Sequence, residues 1–188
     1  MRIIGGRFKG LALTAVGKGD AGAHLRPTTD RVRESLFSML EGGRFGAPVQ
    51  DALVLDLFAG TGALGLEALS RGARAVTFVE NGRIALRLLA GNIERTRAEM
   101  DTTVLRQDAT RLGLCPGAAA SLVFLDPPYE TEKGAVALTC ARSNGWVAPE
   151  ALVVWEDASE RDAPPGFVRL DARRFGQTWL TFLQGADS

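Results

Sequence analysis

The chain has 188 residues, 46% of them hydrophobic and 23% charged, and its 22 basic side chains are balanced by 22 acidic ones. That length suits one domain with a sizeable buried core, and the composition excludes disordered and fibrous classes. No segment approaches the ~18 apolar residues of a membrane span, and Leu11 to Val16 is too short for a signal peptide, so no membrane partner and a cytoplasmic protein are expected; a monomer is expected as well.

A single histidine, His24, excludes a His-rich metal site. Cys115 and Cys140 make neither a metal spacing nor a disulfide framework, so reduced cysteines and chemistry without metal are expected. The charge is unevenly placed. Arg2, Arg7, Lys9, Lys18, Arg26, Arg31 and Arg33 stand against only Asp20, Asp30 and Glu34 in the first 35 residues, which leaves the body acidic. A basic front suggests a polyanion held at one end.

In chain order, residues 1–25 alternate weakly and carry many glycines, as a short β-hairpin or extended arm does. Pro27-Thr28-Thr29-Asp30 supplies helix-start chemistry, and Val32, Leu36, Met39 and Leu40 form the stripe of an amphipathic helix that Gly42-Gly43 ends. From residue 52 strands and helices alternate. Strands are expected over 53–57, 75–79, 103–105, 122–125 and 152–155. Helices are expected over 63–71, through Ile84, Leu88 and Ile93, and over 136–141. The runs 167–170 and 178–183 around Gly176 read as a closing antiparallel hairpin. The pattern predicts an α/β fold in one domain spanning 1–188, with a mostly parallel seven-stranded sheet, helices on both faces and residues 1–25 as a basic extension.

Three acids are expected to end three successive strands at the carboxyl edge, where such sheets bind ligands. Asp56 precedes Phe58-Ala59-Gly60-Thr61-Gly62, in which Gly60, Gly62 and Gly65 match G-x-G-x-x-G. Glu80 stands 20 residues past Gly60, where an acid takes ribose hydroxyls. Asp108, with Ala109, follows the third strand and suits an adenine amino group. A carboxylate at position 56 would repel a pyrophosphate but suits a cation. The candidate cofactor is therefore S-adenosylmethionine rather than NAD, bound by Asp56, Phe58, Ala59, Gly60, Thr61, Gly62, Glu80, Asn81, Asp108 and Ala109.

The fourth strand ends in Asp126-Pro127-Pro128-Tyr129. Two prolines stop both helix and ladder and stiffen the turn. Asp126 and the Pro127 carbonyl can then accept the hydrogens of an exocyclic amine while Tyr129 stacks on its ring, which makes Asp126, Pro127, Pro128 and Tyr129 the candidate catalytic residues. Arg7, Phe8 and Lys9 mix charge with an aromatic ring, as RNA contacts do, although Phe8 can equally fold inward. Trp146, Trp155 and Trp179 are read as core.

Several of these features also carry a family resemblance: Arg2-Ile3-Ile4-Gly5-Gly6, Leu25 through Glu34, Asp56 through Gly72, Asp126 to Tyr129, Asn144-Gly145-Trp146 and the Gly176 segment. Together they resemble the RsmD family of bacterial 16S rRNA guanine-N2 methyltransferases. The resemblance implies a Rossmann-like class I methyltransferase fold. It also implies S-adenosylmethionine as donor, S-adenosylhomocysteine as product, and 16S rRNA in an assembled or assembling small ribosomal subunit as substrate. It places Arg26, Arg31 and Arg33 beside the cofactor, gripping phosphates or closing over the donor. Asn81-Gly82 departs from relatives that often carry an acid nearby. An N6-adenine methyltransferase acting on RNA or DNA is the alternative, because the Asp-Pro-Pro-Tyr run serves either amine.

Overall fold

The structure is a computed structural model that describes residues 1–15, 29–129 and 131–186. His24, Arg26 and the Pro27-Thr28 part of the helix start lie outside the described residues.

The strands are β1 (Leu53–Leu57), β2 (Ala75–Val79), β3 (Thr102–Leu105), β4 (Ala120–Leu125), β5 (Val147–Asp157), β6 (Phe167–Phe175) and β7 (Thr178–Gly185). The helices are α1 (Asp30–Glu41), α2 (Ala63–Ser70), α3 (Arg83–Thr96) and α4 (Lys133–Ser143). The strands form one sheet in the order β3-β2-β1-β4-β5-β7-β6. β1 to β5 pair in parallel, while β7 runs antiparallel to both β5 and β6. The expected seven strands and closing hairpin are therefore present. The strand order reverses at β1, with β2 on one side and β4 on the other, which is where α/β sheets open a ligand crevice.

Alternation along the strands divides the core in two, because successive side chains leave opposite faces. Val54, Val76, Phe78, Leu122, Phe124, Val154, Leu180 and Phe182 pack with α1, α2 and α3. Leu55, Leu57, Val79, Val123, Leu125, Val153, Trp155 and Leu183 pack with Ala137, Leu138 and Ala141 of α4. Both faces are covered, so the central strands are mostly apolar. Trp146 and Trp155 are buried and Trp179 is partly so.

α1 begins where Thr29 accepts the Val32 N–H at 3.3 Å, and it ends at Gly42. Its buried stripe is Val32, Leu36, Phe37 and Leu40; Phe37 takes the inward place expected of Met39 and meets Phe124 at 5.8 Å between ring centres. In α3 the inward residues are Ala85, Leu89, Asn92, Ile93 and Thr96, with Ile84 and Leu88 only half-buried. This face carries a polar Asn because that side chain bonds backbone from two other segments.

The N-terminal residues do form a hairpin, in which Ile3 N–H donates to Leu11 and Leu13 N–H to Met1. Its short 3₁₀ turn, Gly6–Phe8, docks on α2. Glu67 of α2 accepts the N–H groups of Ile4 and Gly5, each at 2.8 Å. Ser70 accepts from Phe8 N–H at 2.9 Å and donates to the Gly5 carbonyl. Gly6 is required there: it has φ +72°, and a Cβ would stand 1.8 Å from the Ser70 carbonyl oxygen.

Candidate active site

The chain between β1 and α2 turns with Phe58, Gly60 and Gly62 all at positive φ, at 60°, 56° and 77°. Phe58 stands out, since a bulky residue there stores strain of the kind that gathers at functional sites. Gly62 caps α2 without a side chain. Gly65 lets the helix press on the sheet, because a Cβ there would lie 2.4 Å from Phe78 and 2.9 Å from the Asp56 carboxylate.

The acids expected to bind a ligand organise these turns. Asp56 is buried, and its Oδ2 accepts the Gly65 N–H at 2.9 Å. It thus sits under the glycine turn, not at its surface. Glu80 accepts the N–H of Gly60 at 2.8 Å through Oε2, and those of Asn81 and Gly82 at 2.8 and 2.7 Å through Oε1. It ties the turn after β1 to the turn after β2 and keeps about one of its four lone-pair positions for a ligand. Asp108 uses Oδ1 to accept from both the N–H and the hydroxyl of Thr110, at 2.9 and 2.7 Å, which caps the short helix containing Ala109. Those two bonds, with help from Arg111 and Lys133, hold its carboxyl below the usual range.

Asp126 leaves β4 with its N–H on the Leu57 carbonyl at 3.4 Å, so the diproline corner begins beside the end of β1. Asp126 remains partly exposed, Pro127 is buried, and Tyr129 is half-exposed. No hydrogen bond among the described residues reaches the Asp126 carboxylate or the Pro127 carbonyl. The Tyr129 hydroxyl donates to Glu156 Oε1 at 3.1 Å and lies 3.5 Å from the Thr178 hydroxyl. Behind the corner, a Cβ on Gly134 would meet the Trp155 ring at 2.3 Å and Pro127 at 3.1 Å. The start of α4 thus holds the corner from the other face.

Sequence reasoning missed Glu156 and Asp157, although acids at the end of an apolar strand are the signal that marked Asp56, Glu80 and Asp108. Asp157 is offset by Arg161 at 2.8 Å. Burial first, then the charges of Glu156, Asp56 and Asp157, push the Asp126 carboxyl well above the ordinary range. Burial raises Asp56 to about 8, with Glu80 adding to the rise and the Gly65 N–H opposing it. No ion pair among the described residues reaches Asp56, Glu80 or Asp126. The cations nearest the site, Arg111 and Lys133, act on Asp108, and no acid, Cys or His cluster among the described residues could hold a metal ion.

A pH dependence of stability follows. Asp56 moves from 3.8 to about 8 on folding, so between those values the folded state binds more protons than the unfolded one. Stability of the ligand-free protein should therefore fall as pH rises from 3.8 to about 8, with Asp126 acting in the same direction. Urea midpoints measured across that range should slope downward, and Asp56→Asn should flatten the slope.

The basic residues divide. Arg7 is half-exposed, paired with Asp101 at 2.8 Å, and lies 4.6 Å from the centre of the Phe8 ring; Phe8 is partly buried against the core, and Lys9 is exposed. Arg31 is exposed. Arg33, expected to face RNA or the donor, is instead fully buried. Its guanidinium meets Asp30 at 3.0 Å, Glu67 at 3.6 Å and the Arg2 carbonyl, because α1 and the hairpin close over it. Asn92 was also missed. Fully buried, it exchanges hydrogen bonds with Thr14 backbone at 2.8 and 3.1 Å and donates to the Thr61 carbonyl at 2.9 Å, joining the hairpin to the glycine turn.

The comparisons with known proteins give the family. A family model described as "Conserved hypothetical protein 95" matches residues 1–184. Ribosomal RNA small subunit methyltransferase D of Escherichia coli K12 is 39% identical over 165 residues, covering 87% of this chain and 78% of the relative. The chain belongs to the RsmD family of methyltransferases. The Haemophilus influenzae member is 34% identical over 167 residues, covering 87% of this chain and 81% of its own length. The solved structure of the E. coli protein yhhF superposes with a TM-score of 0.82 at 35% identity, over 100% of this chain and 99% of that one.

Proposed function

We propose that this methyltransferase uses S-adenosylmethionine to methylate the N2 amino group of a guanine in 16S rRNA, within a small ribosomal subunit or its assembly intermediate in the cytoplasm. The observation that carries the reading is the pair of adjacent acceptors that receive no hydrogen bond from the described residues, the Asp126 carboxylate and the Pro127 carbonyl. An amino group offers the two hydrogens such a pair lacks. The relatives named small-subunit rRNA methyltransferases support an RNA substrate.

The donor fits the charge of the site. Raised carboxyls without cationic partners suit a ligand bearing a sulfonium and an ammonium. When bound, it supplies an electrophilic methyl group. Phe58 through Gly62 would hold it, with Glu80 toward its ribose and Asp108 with Ala109 toward its adenine. The buried Asp56 would act through its charge, not by contact.

The chain's own residues do the rest. An exocyclic nitrogen is a weak nucleophile because its lone pair is shared with the ring. Accepting both hydrogens at Asp126 and Pro127 favours a more tetrahedral nitrogen, and Asp126 takes the proton as the new bond forms. A raised Asp126 is the stronger base, and such catalysis contributes roughly 10²–10⁴-fold. The stiff diproline corner aligns the amine. Tyr129 stacks on the base for about 1–3 kcal/mol, which helps offset the cost of unstacking it from the RNA.

The acid-rich site also favours guanine over the alternative N6 of adenine. Guanine presents N1–H beside its amine on the Watson–Crick side, a second donor for a carboxylate. Adenine presents an N1 lone pair, which a carboxylate repels. Nucleoside mass spectrometry of small-subunit RNA from cells lacking the gene tests the reading. One N2-methylguanosine should be missing and should return on adding the protein and donor; loss of N6-methyladenosine would establish the adenine reading instead.

A further inference from the structure

Strand alternation puts four polar residues on one side of the sheet at its carboxyl edge. Asp56 follows Val54, Asp126 follows Phe124, Glu156 follows Val154, and Thr178 precedes Leu180 by two. All four continue the face that packs on α1, α2 and α3. Glu156 is only 3% exposed, yet it receives the hydroxyl of Tyr129, a residue of the corner 27 positions earlier. A buried carboxylate costs stability unless it is satisfied or serves a purpose, and a leucine would continue this strand's face more cheaply.

We propose that Glu156 is a positioning residue for the acceptor base, anchoring the Tyr129 ring by its hydroxyl and fixing a negative charge beside Asp126. This rests on the reading of Asp126 and Tyr129 given above. The Tyr129 hydroxyl links the outer end of the corner to β5 and β7. Burial and the Glu156 charge raise its hydroxyl, so it stays protonated and continues to donate. With the hydroxyl tethered to Glu156 and Thr178, the ring has one orientation in which to receive a base.

The second role is electrostatic. Asp126 is faced by Asp56 from β1, by Glu156 and Asp157 from β5, and by Tyr129 from its own turn. Glu80 acts on Asp56, and Asp157 already has Arg161. After burial, Glu156 is the largest influence on Asp126. A like charge makes a carboxylic acid harder to ionise and its carboxylate a stronger base.

Glu156→Gln separates the two roles, since a glutamine still accepts from Tyr129 but carries no charge. In the full-length protein, ¹³C-NMR titration of the Asp126 carboxyl should show its midpoint falling by about one pH unit. The acid limb of kcat against pH should fall with it, while KM for undermethylated small subunits stays near wild type. Tyr129→Phe keeps the ring and loses the tether; KM should rise roughly three- to tenfold with the acid limb unmoved. An unmoved Asp126 midpoint in folded Glu156→Gln, or an unchanged KM in Tyr129→Phe, would overturn the proposal. If Glu156→Gln does not fold, Tyr129→Phe decides alone. Full turnover by Asp126→Ala would remove the underlying reading, and the NMR midpoint distinguishes that failure from this one.

Discussion

Asp126→Ala is expected to lower turnover by roughly 10²–10⁴-fold, the usual share of a general base, and the orienting contact to the amine is lost as well. Binding of S-adenosylmethionine should persist, because the residues proposed to hold it lie on the β1, β2 and β3 turns. The Asp126 carboxylate accepts no hydrogen bond among the described residues, so its removal leaves no protein donor stranded. The Glu156 and Asp56 charges act against it, so its loss also relieves repulsion. The variant should therefore be at least as stable as the parent near neutral pH. Single-turnover methylation together with calorimetric titration of the donor would show this split; equal losses of binding and turnover would count against the role of Asp126.

The largest effect on stability is expected from Glu67→Ala. Glu67 is fully buried in α2, where it accepts from Ile4 N–H, Gly5 N–H and Arg71 and stands 3.6 Å from the equally buried Arg33. Removing one partner of a buried ion pair costs about 3–5 kcal/mol when the other charge is left uncompensated, and Arg33, which keeps Asp30 and the Arg2 carbonyl, places the loss toward the lower end. Two hairpin N–H groups lose their acceptor too. Urea unfolding should show the loss, and hydrogen exchange at Ile4 and Gly5 should accelerate before that of β1 or β4. Leucine in place of both Arg33 and Glu67 should recover part of the loss, since a well-packed apolar pair avoids the desolvation penalty. The opening Arg-Ile-Ile-Gly-Gly run is thus explained first by docking: its amides need Glu67, and Gly6 needs to clear Ser70.

The sequence by itself determined the existence and order of the seven strands, the glycine and diproline turns and three of the strand-end acids; it left β5 and β6 too short, at 152–155 and 167–170 against Val147–Asp157 and Phe167–Phe175, and missed Glu156 and Asp157. Apolar runs such as 53–57 and 75–79, punctuated by glycine and proline, are local signals, and local physics decides where a strand must stop. For the same reason the Asp-Pro-Pro-Tyr corner was legible without coordinates. Tertiary structure decided which way the polar groups face. Arg33 reads as a surface cation beside Arg31, yet it is buried because Glu67, 34 residues away, waits on another helix. Phe8 turns toward the core under its neighbour Arg7, and Asn92 is drawn inward by Thr14 and Thr61. Glu156 joins the corner only through β5 pairing with β4, a register no local pattern encodes. Burial of a charge is favourable only when its partner arrives, and that partner is brought by the fold.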